Sequence, residues 1–429
     1  MPKISYAGYI DLKYKPSETD LVCLFRIEPA KGVPMKEAAE GVAAESSVGT
    51  WTEVKTAGAD IMRKAAKVFS INGPYVEIAY PLELFEYGNM PCILSSVAGN
   101  VFGMKAVNNL RLEDIHWPEE LMKSFKGPIH GIPGVRHLLK VPERPLCGTI
   151  IKPKLGLGWK DHAKVAYEAW VGGLDIVKDD ENLTSQSFNR FEERVNETLR
   201  LRDKAEAETG ERKMYMANVT AETNEMVRRA KFIKNAGGEY AMVDILTVGW
   251  SGLQTLRDAN EDLRLVLHAH RAGHAALTRN KKHGIAMMVI ADVARLIGVD
   301  QLHIGTIVGK MEGGKKEVIS IGEEIEKGFV AEKGHRMSEQ WRHVKPVFAV
   351  CSGGMHPGLV PPLVKMLGKD IILQAGGGVH GHPGGTRVGA TAFRQAVEAS
   401  ARGINLKEYA KTHTALKAAI DKWGFISPR

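Results

Sequence analysis

The chain has 429 residues, 44% apolar and 25% charged, which is an ordinary globular composition with enough length for two or three domains and a large core. Its net charge of +8 comes from bases interspersed with acids. No like-charged block, basic stripe or stacking motif stands out, so the charge implies a weak pull on anionic substrates and no nucleic-acid partner. No apolar run reaches the ~18 residues of a membrane span, and the N-terminus lacks a charged-then-apolar leader. The four cysteines, Cys23, Cys92, Cys147 and Cys351, form no CxxC pair and read as reduced core thiols. A cytoplasmic protein that meets no membrane is expected.

Residues 1–126 read as a mixed α+β domain. Leu21–Ile27 is strand-like, Met35–Glu45 is helical, and Trp51–Lys55 and Tyr75–Tyr80 are strand-like. Pro91–Phe102 is helical and Asn108–Ile115 returns as a strand. The order β-α-β-β-α-β is the split βαβ of a ferredoxin-like domain. After Gly127-Pro128, apolar strand-like segments recur every ~25–45 residues with helical stretches between them, the rhythm of a (β/α)8 barrel over 127–402. Eight are expected: Cys147–Lys152, Ile176–Asp180, Met214–Val219, Ala241–Ile245, Leu265–His270, Gln301–Gly305, Val347–Ser352 and Ile371–Gly376. Most end in polar residues or glycines, and in a barrel those ends converge on the rim that carries active sites. Residues 403–429 read as a closing helical tail.

The second of these strands carries the most chemistry. Gly172 to Asn182 reads Gly-Gly-Leu-Asp-Ile-Val-Lys-Asp-Asp-Glu-Asn, a buried strand ending in Lys178, Asp179, Asp180 and Glu181. Unpaired buried charge is costly, whereas a hard divalent cation wants oxygen ligands. Alternation puts Lys178 and Asp180 on one face and Asp179 on the other. An ammonium beside a metal is repelled, so Lys178 is an outer counter-ion, a neutral amine or a covalently changed one.

The other strand ends add partners. Lys152 and Lys154 flank a proline that is expected to hold the chain extended, with both lysines on one side. His268-Ala-His270-Arg271-Ala-Gly-His274 closes the fifth strand; a His-x-His pair could bind zinc, although no cysteine or further histidine at ligand spacing supports that. Gly305 to Gly313 holds Lys310 between glycines; it is not a Walker loop, and reads as a hinged lid or a surface hairpin. Ser352-Gly353-Gly354 and Gly376-Gly377-Gly378 let backbone N–H groups approach an anion, at the strands where barrel phosphate sites usually form.

Taken together, these motifs resemble the large subunit of ribulose-1,5-bisphosphate carboxylase/oxygenase (RuBisCO) over nearly the whole chain, with wording like that of the archaeal, methanogen-type form III. The resemblance implies a lysine carbamate formed from CO2 on Lys178, which joins Asp180 and Glu181 as ligands of Mg2+. It implies that the carbamylated Lys178 abstracts the C3 proton of ribulose bisphosphate, that Lys152 protonates the final carbanion with support from Lys154, and that His270 assists at the C3 oxygen. A neutral amine is needed to attack CO2, and neighbouring lysines and desolvation favour it. Arg271 and His303 would hold the 5-phosphate, and Ser352, Gly353, Gly354, Gly376 and Gly377 the rest of the bisphosphate. Lys310 would contact incoming CO2. From the partner subunit of a homodimer, Thr50 and Trp51 would complete the 1-phosphate site, Glu45 would pair with Lys310, and Asn100 would contact substrate at the metal.

The implied reaction turns ribulose bisphosphate, CO2 and water into two 3-phosphoglycerates, with O2 competing, in archaeal nucleotide-pentose metabolism. The implied assembly is a homodimer or a higher assembly of dimers, without a small subunit. Three positions depart from the plant-type pattern: Ile150 for a threonine, Gly273 for a methionine and Ile304 for a serine. The alternative is a RuBisCO-like isomerase that enolises a related sugar phosphate without carboxylating it.

Overall fold

The structure, a computed structural model, describes residues 8–50, 52, 54–308 and 314–425. The chain divides into two compact units. The first comprises Met1–Lys126 with Gly273–Ile297 and Lys327–Val344, and the second Gly127–Ala272 with Gly298–Glu326 and Lys345–Arg429.

With strands numbered in chain order, the first unit is built on β1 (Asp20–Pro29), β2 (Lys67–Asn72), β3 (Tyr75–Pro81) and β4 (Val107–His116). They lie in the antiparallel order β2-β3-β1-β4, and β10 (Gly284–Ile285) adds a parallel edge to β4. A short hairpin, β12 (Phe329–Val330) with β13 (Glu339–Gln340), belongs to the same unit. The helices Met35–Glu45 and Met90–Val97 make the two crossovers of the expected split βαβ. Met35–Glu45 buries Ala38, Ala39, Val42 and Ala43, small side chains that let it lie close to its neighbours. After Met90–Val97 the chain turns at Gly99, where a Cβ would lie 2.0 Å from the Ser95 carbonyl oxygen, so only glycine fits. The expected strand at Trp51–Lys55 is not found: the described residues Thr52, Val54 and Lys55 form no strand, and β2 lies further on. β2 pairs with β3 across a tight turn, Asn72 opposite Tyr75, with Gly73 at φ +58°.

The second unit is a closed parallel barrel of β5 (Leu146–Ile150), β6 (Ile176–Lys178), β7 (Met214–Asn218), β8 (Tyr240–Asp244), β9 (Val266–His270), β11 (Gln301–His303), β14 (Phe348–Ser352) and β15 (Ile371–Gln374). All eight expected strands are present. Leu146, Ile176, Met214, Tyr240, Val266, Phe348 and Ile372 fill one end together with Ile132, Val135 and Leu139 of the helix Gly131–Leu139. Asp300 ties that helix to the barrel, accepting from the backbone N–H groups of His130 (2.7 Å), Gly131 (2.8 Å) and Leu267 (3.0 Å). Strand alternation then carries polar residues to the other end: Lys178 follows Ile176, Asp244 follows Met242, and His268 and His270 follow Val266. An apolar core at one end and a polar rim at the other follow from the same period of two.

Candidate active site at the carboxyl ends of the barrel strands

Lys178 ends β6 with its side chain only 1% exposed. Its ammonium donates to the Asp179 carbonyl oxygen at 2.8 Å and touches the Met242 sulfur at 3.2 Å. Burial pushes this amine down, against the pull of Glu181, Asp244, Asp180 and Asp179. Asp180, also buried, receives Lys152 Nζ at 2.6 Å and lies 3.7 Å from Lys154 Nζ, which reaches Glu181 at 3.2 Å. Burial works against the Lys154 ammonium, but Glu181 and Asp180 raise it above the usual lysine range. Burial opposes ionisation of Glu181, yet His270, the loop backbone, Lys178 and Lys154 hold its carboxyl down at about 2. The structure therefore brings Lys152, Lys154, Lys178, Asp180 and Glu181 together, while Asp179 turns away to Tyr215 and Arg194. The Lys152–Pro153 peptide is cis, not the extended link expected.

His270, at the end of β9, is fixed by a residue the sequence reading missed. Asp244 ends the neighbouring strand β8 and stands opposite His270 in register. Its Oδ1 lies 2.8 Å from His270 Nδ1. A carboxylate there accepts the Nδ1 proton, which leaves Nε2 as the free base, 3.9 Å from Glu181 Oε2. Burial and Lys178 push the imidazole below its ordinary value, so it is neutral at pH 7.

Next to it, Arg271 is 8% exposed and has neither hydrogen bond nor ion pair among the described residues. Burial lowers its pKa to about 10 against the pull of Glu317, so it stays cationic. His303 ends β11, and both its nitrogens are engaged: Nε2 with His268 Nε2 at 2.9 Å and Nδ1 with Ser352 Oγ at 2.9 Å. One of these contacts must open for His303 to touch a phosphate. Ser352 leads into Gly353 (φ +107°) and Gly354 (φ +74°), two successive left-handed residues that only glycine adopts readily. At Gly376 a Cβ would lie 3.0 Å from Lys152 Cε, so the missing side chain makes room for that lysine. Gly377 begins the short helix Gly377–His380. Lys310 and Trp51 lie outside the described residues. Glu45, Thr50 and Asn100 lie in the first unit, at the end of the helix Met35–Glu45, in the loop after it and at the start of the turn Asn100–Gly103.

The family described as ribulose bisphosphate carboxylase large chain, catalytic domain, matches residues 131–423, and the corresponding N-terminal domain matches 8–121. The chain belongs to this family. It is 53% identical to the ribulose bisphosphate carboxylase of Methanocaldococcus jannaschii, covering 97% of this chain and 99% of that one. It is 52% identical to that of Methanosarcina mazei, covering 97% and 98%. Among solved structures it resembles the dimeric archaeal Rubisco of Hyperthermus butylicus, with a TM-score of 0.93 and 45% identity over 97% of this chain and 99% of that one. It also resembles the octameric enzyme of Pyrococcus horikoshii, with a TM-score of 0.91 and 48% identity over 97% and 96%.

These relatives carry the carboxylase name, and nothing in them supports the isomerase reading. The departures from the plant-type RuBisCO pattern have local consequences. The Ile150 carbonyl lies 3.1 Å from His380 Nε2, and Ile304 is buried. Gly273 holds φ +85°, a conformation in which the methionine expected there would be strained. No helix among the described residues is long and apolar enough to cross a membrane.

Proposed function

We propose that this RuBisCO-family chain carboxylates ribulose bisphosphate, yielding two 3-phosphoglycerates, with Mg2+ and a CO2-derived carbamate on Lys178. The observation that carries the reading is the buried Lys178 amine, pushed toward neutrality and set beside Asp180 and Glu181. Among the described residues no group of three or more His, Cys, Asp or Glu could hold a metal. Asp180 and Glu181 fall one anionic ligand short, and a carbamate on Lys178 is the ligand that completes them. The two carboxylates are already held by ammonium groups, a sign that the pocket attracts cations. Carbamylation turns the Lys178 cation into an anion, and a divalent cation restores the charge balance. When bound, the metal supplies Lewis-acid polarisation and orientation of the substrate oxygens.

The remaining work falls to side chains of this chain. His270 Nε2 takes and returns a proton near the substrate's C3 oxygen, with its other nitrogen held by Asp244. Lys152 would deliver a proton to the product carbanion. Arg271, without a hydrogen bond or ion pair among the described residues, offers its guanidinium to one phosphate, and Gly353, Gly354, Gly376 and Gly377 offer close backbone approach to the other end. Ser352, with His303 and Lys154, completes the substrate contacts. Lys310 would serve the CO2 side. Glu45, Thr50, Trp51 and Asn100 act from a second subunit, as suits a family with a dimeric member.

The test is incorporation of 14CO2 with ribulose bisphosphate under anaerobic conditions, after preincubation with bicarbonate and Mg2+. Lys178→Met is expected to be folded and inactive. Fixation that needs neither preincubation nor Lys178 would refute the reading.

A further inference from the structure

Asp179 stands between two residues of the proposed metal set, yet it faces away from the rim. Its carboxylate is fully buried. Oδ1 accepts from the Tyr215 hydroxyl at 2.6 Å and lies 3.1 Å from His162 Nε2, whose N–H is not aligned for a hydrogen bond. Oδ2 accepts from Arg194 Nε at 3.2 Å and from the Asn218 backbone N–H at 3.0 Å.

Arg194 is equally buried. It also donates to the Thr184 carbonyl (2.7 Å), the Asn189 carbonyl (3.0 Å) and Asn189 Oδ1 (3.2 Å). Asn189 Nδ2 donates in turn to the Leu157 carbonyl (3.0 Å), in the segment that follows Lys152 and Lys154. Asn218 Nδ2 donates to the Glu181 carbonyl (3.1 Å). A buried ion pair is a poor way to stabilise a fold, because an apolar replacement is often as stable. What this pair does achieve is geometric. Its branches reach the backbone of Glu181, the loop after it and the segment behind Lys152 and Lys154.

We propose that Asp179, acting through Arg194, Asn189 and Asn218, is a positioning residue that presets Lys178, Asp180 and Glu181 for a divalent cation and CO2. This rests on the function proposed above. Partners that orient metal ligands typically contribute 10–100-fold in metal affinity.

The test measures Mn2+ affinity by electron paramagnetic resonance in bicarbonate, CO2 trapped per chain, and Tm without metal or CO2. It compares the parent, Asp179→Asn, Tyr215→Phe and a control, Asp175→Asn. Asp175 lies just ahead of β6, is as buried as Asp179, and pairs with the partly exposed Arg144 at 2.6 and 2.7 Å. Asp179→Asn and Tyr215→Phe are expected to lose roughly 10–100-fold in Mn2+ affinity and to trap less CO2. Asp175→Asn is expected to lower Tm and leave Mn2+ affinity unchanged. If Asp179→Asn does not fold, Tyr215→Phe decides, since it removes one hydroxyl. Parent-like affinity and trapping in Tyr215→Phe, or an equal loss of affinity in Asp175→Asn, overturns the inference. A parent that binds no Mn2+ overturns the carboxylase reading itself, and the inference with it.

Discussion

A nearly buried guanidinium with no hydrogen bond or ion pair among the described residues costs stability, which points to a role for Arg271 other than folding. Arg271→Met should leave Tm unchanged or raise it. The KM for ribulose bisphosphate should rise by at least ~30-fold, the equivalent of the ~2 kcal/mol lower bound for removing one partner of a buried charge pair. A marked fall in Tm would reveal a structural partner and defeat the phosphate assignment. Lys178 gives a second pair of readings. Its amine is a base whose folded pKa lies below the unfolded value of 10.5. The unfolded chain therefore binds a proton that the folded chain resists, and this lysine costs stability as pH falls below that value. Lys178→Met should be at least as stable as the parent at neutral pH, with the difference vanishing above about pH 10.5. Activation by CO2 should quicken with pH and level off below the ordinary lysine range, which stopped-flow activation across pH would show. Lys178, Asp180 and Glu181 were legible because charge at the end of an apolar strand has no packing explanation. Asp244 was not, because its value comes from standing beside His270, and only the closed barrel puts it there.

At the scale of elements, that pairing of β8 with β9 is itself testable. A carboxylate opposite His270 fixes which nitrogen carries the proton, and an amide can fix the wrong one. Asp244→Asn should keep the fold and lower kcat by roughly 10²–10⁴, the range that general acid–base catalysis contributes. Tritium loss from C3 should fall with it, and a variant that exchanges the C3 proton at the parent rate would remove Asp244 from the mechanism. The eight barrel strands could be read because each is a short apolar run with a polar or glycine end. β2 was misplaced for an instructive reason. Trp51–Lys55 offers an aromatic and β-branched run, whereas Lys67–Asn72 carries polar residues at both ends. The better signal was the Asn72-Gly73-Pro74 turn into β3, which pins the register of that hairpin. β10, two residues long, exists only as an edge on β4 and has no pattern of its own to read.

At the scale of the whole molecule, the proposed site draws on residues from two subunits. Glu45→Gln and Lys178→Met should each be inactive alone. Refolded together at equal ratio, half the dimers are mixed, and each mixed dimer carries one intact site. About one quarter of parent activity should return, measured as 14CO2 fixation. No recovery with mixed dimers demonstrated would mean that each site is built within one chain. The arithmetic is that of a dimer, the assembly of the similar Hyperthermus butylicus enzyme; the Pyrococcus horikoshii enzyme is octameric.

The interleaving of the two units has a consequence for how the protein is made. Arg111, buried in the first unit, gives its guanidinium to the carbonyls of Thr278 (3.1 Å) and Asn280 (2.7 Å), and the Trp117 backbone N–H donates to Glu339 Oε2 at 2.8 Å. None of these partners exists when Lys126 leaves the ribosome, and roughly two hundred more residues must follow before Val344 appears. At ~5–20 residues per second, that is a delay of about 10–45 s. During that interval the outer edge of β4 is uncovered, and of its partners the Arg111 guanidinium has Glu113 (3.1 Å) but not the two carbonyls. A fragment of residues 1–126 should therefore show weak, non-cooperative melting by circular dichroism, and the nascent chain is expected to depend on a chaperone until the last inserted segment arrives.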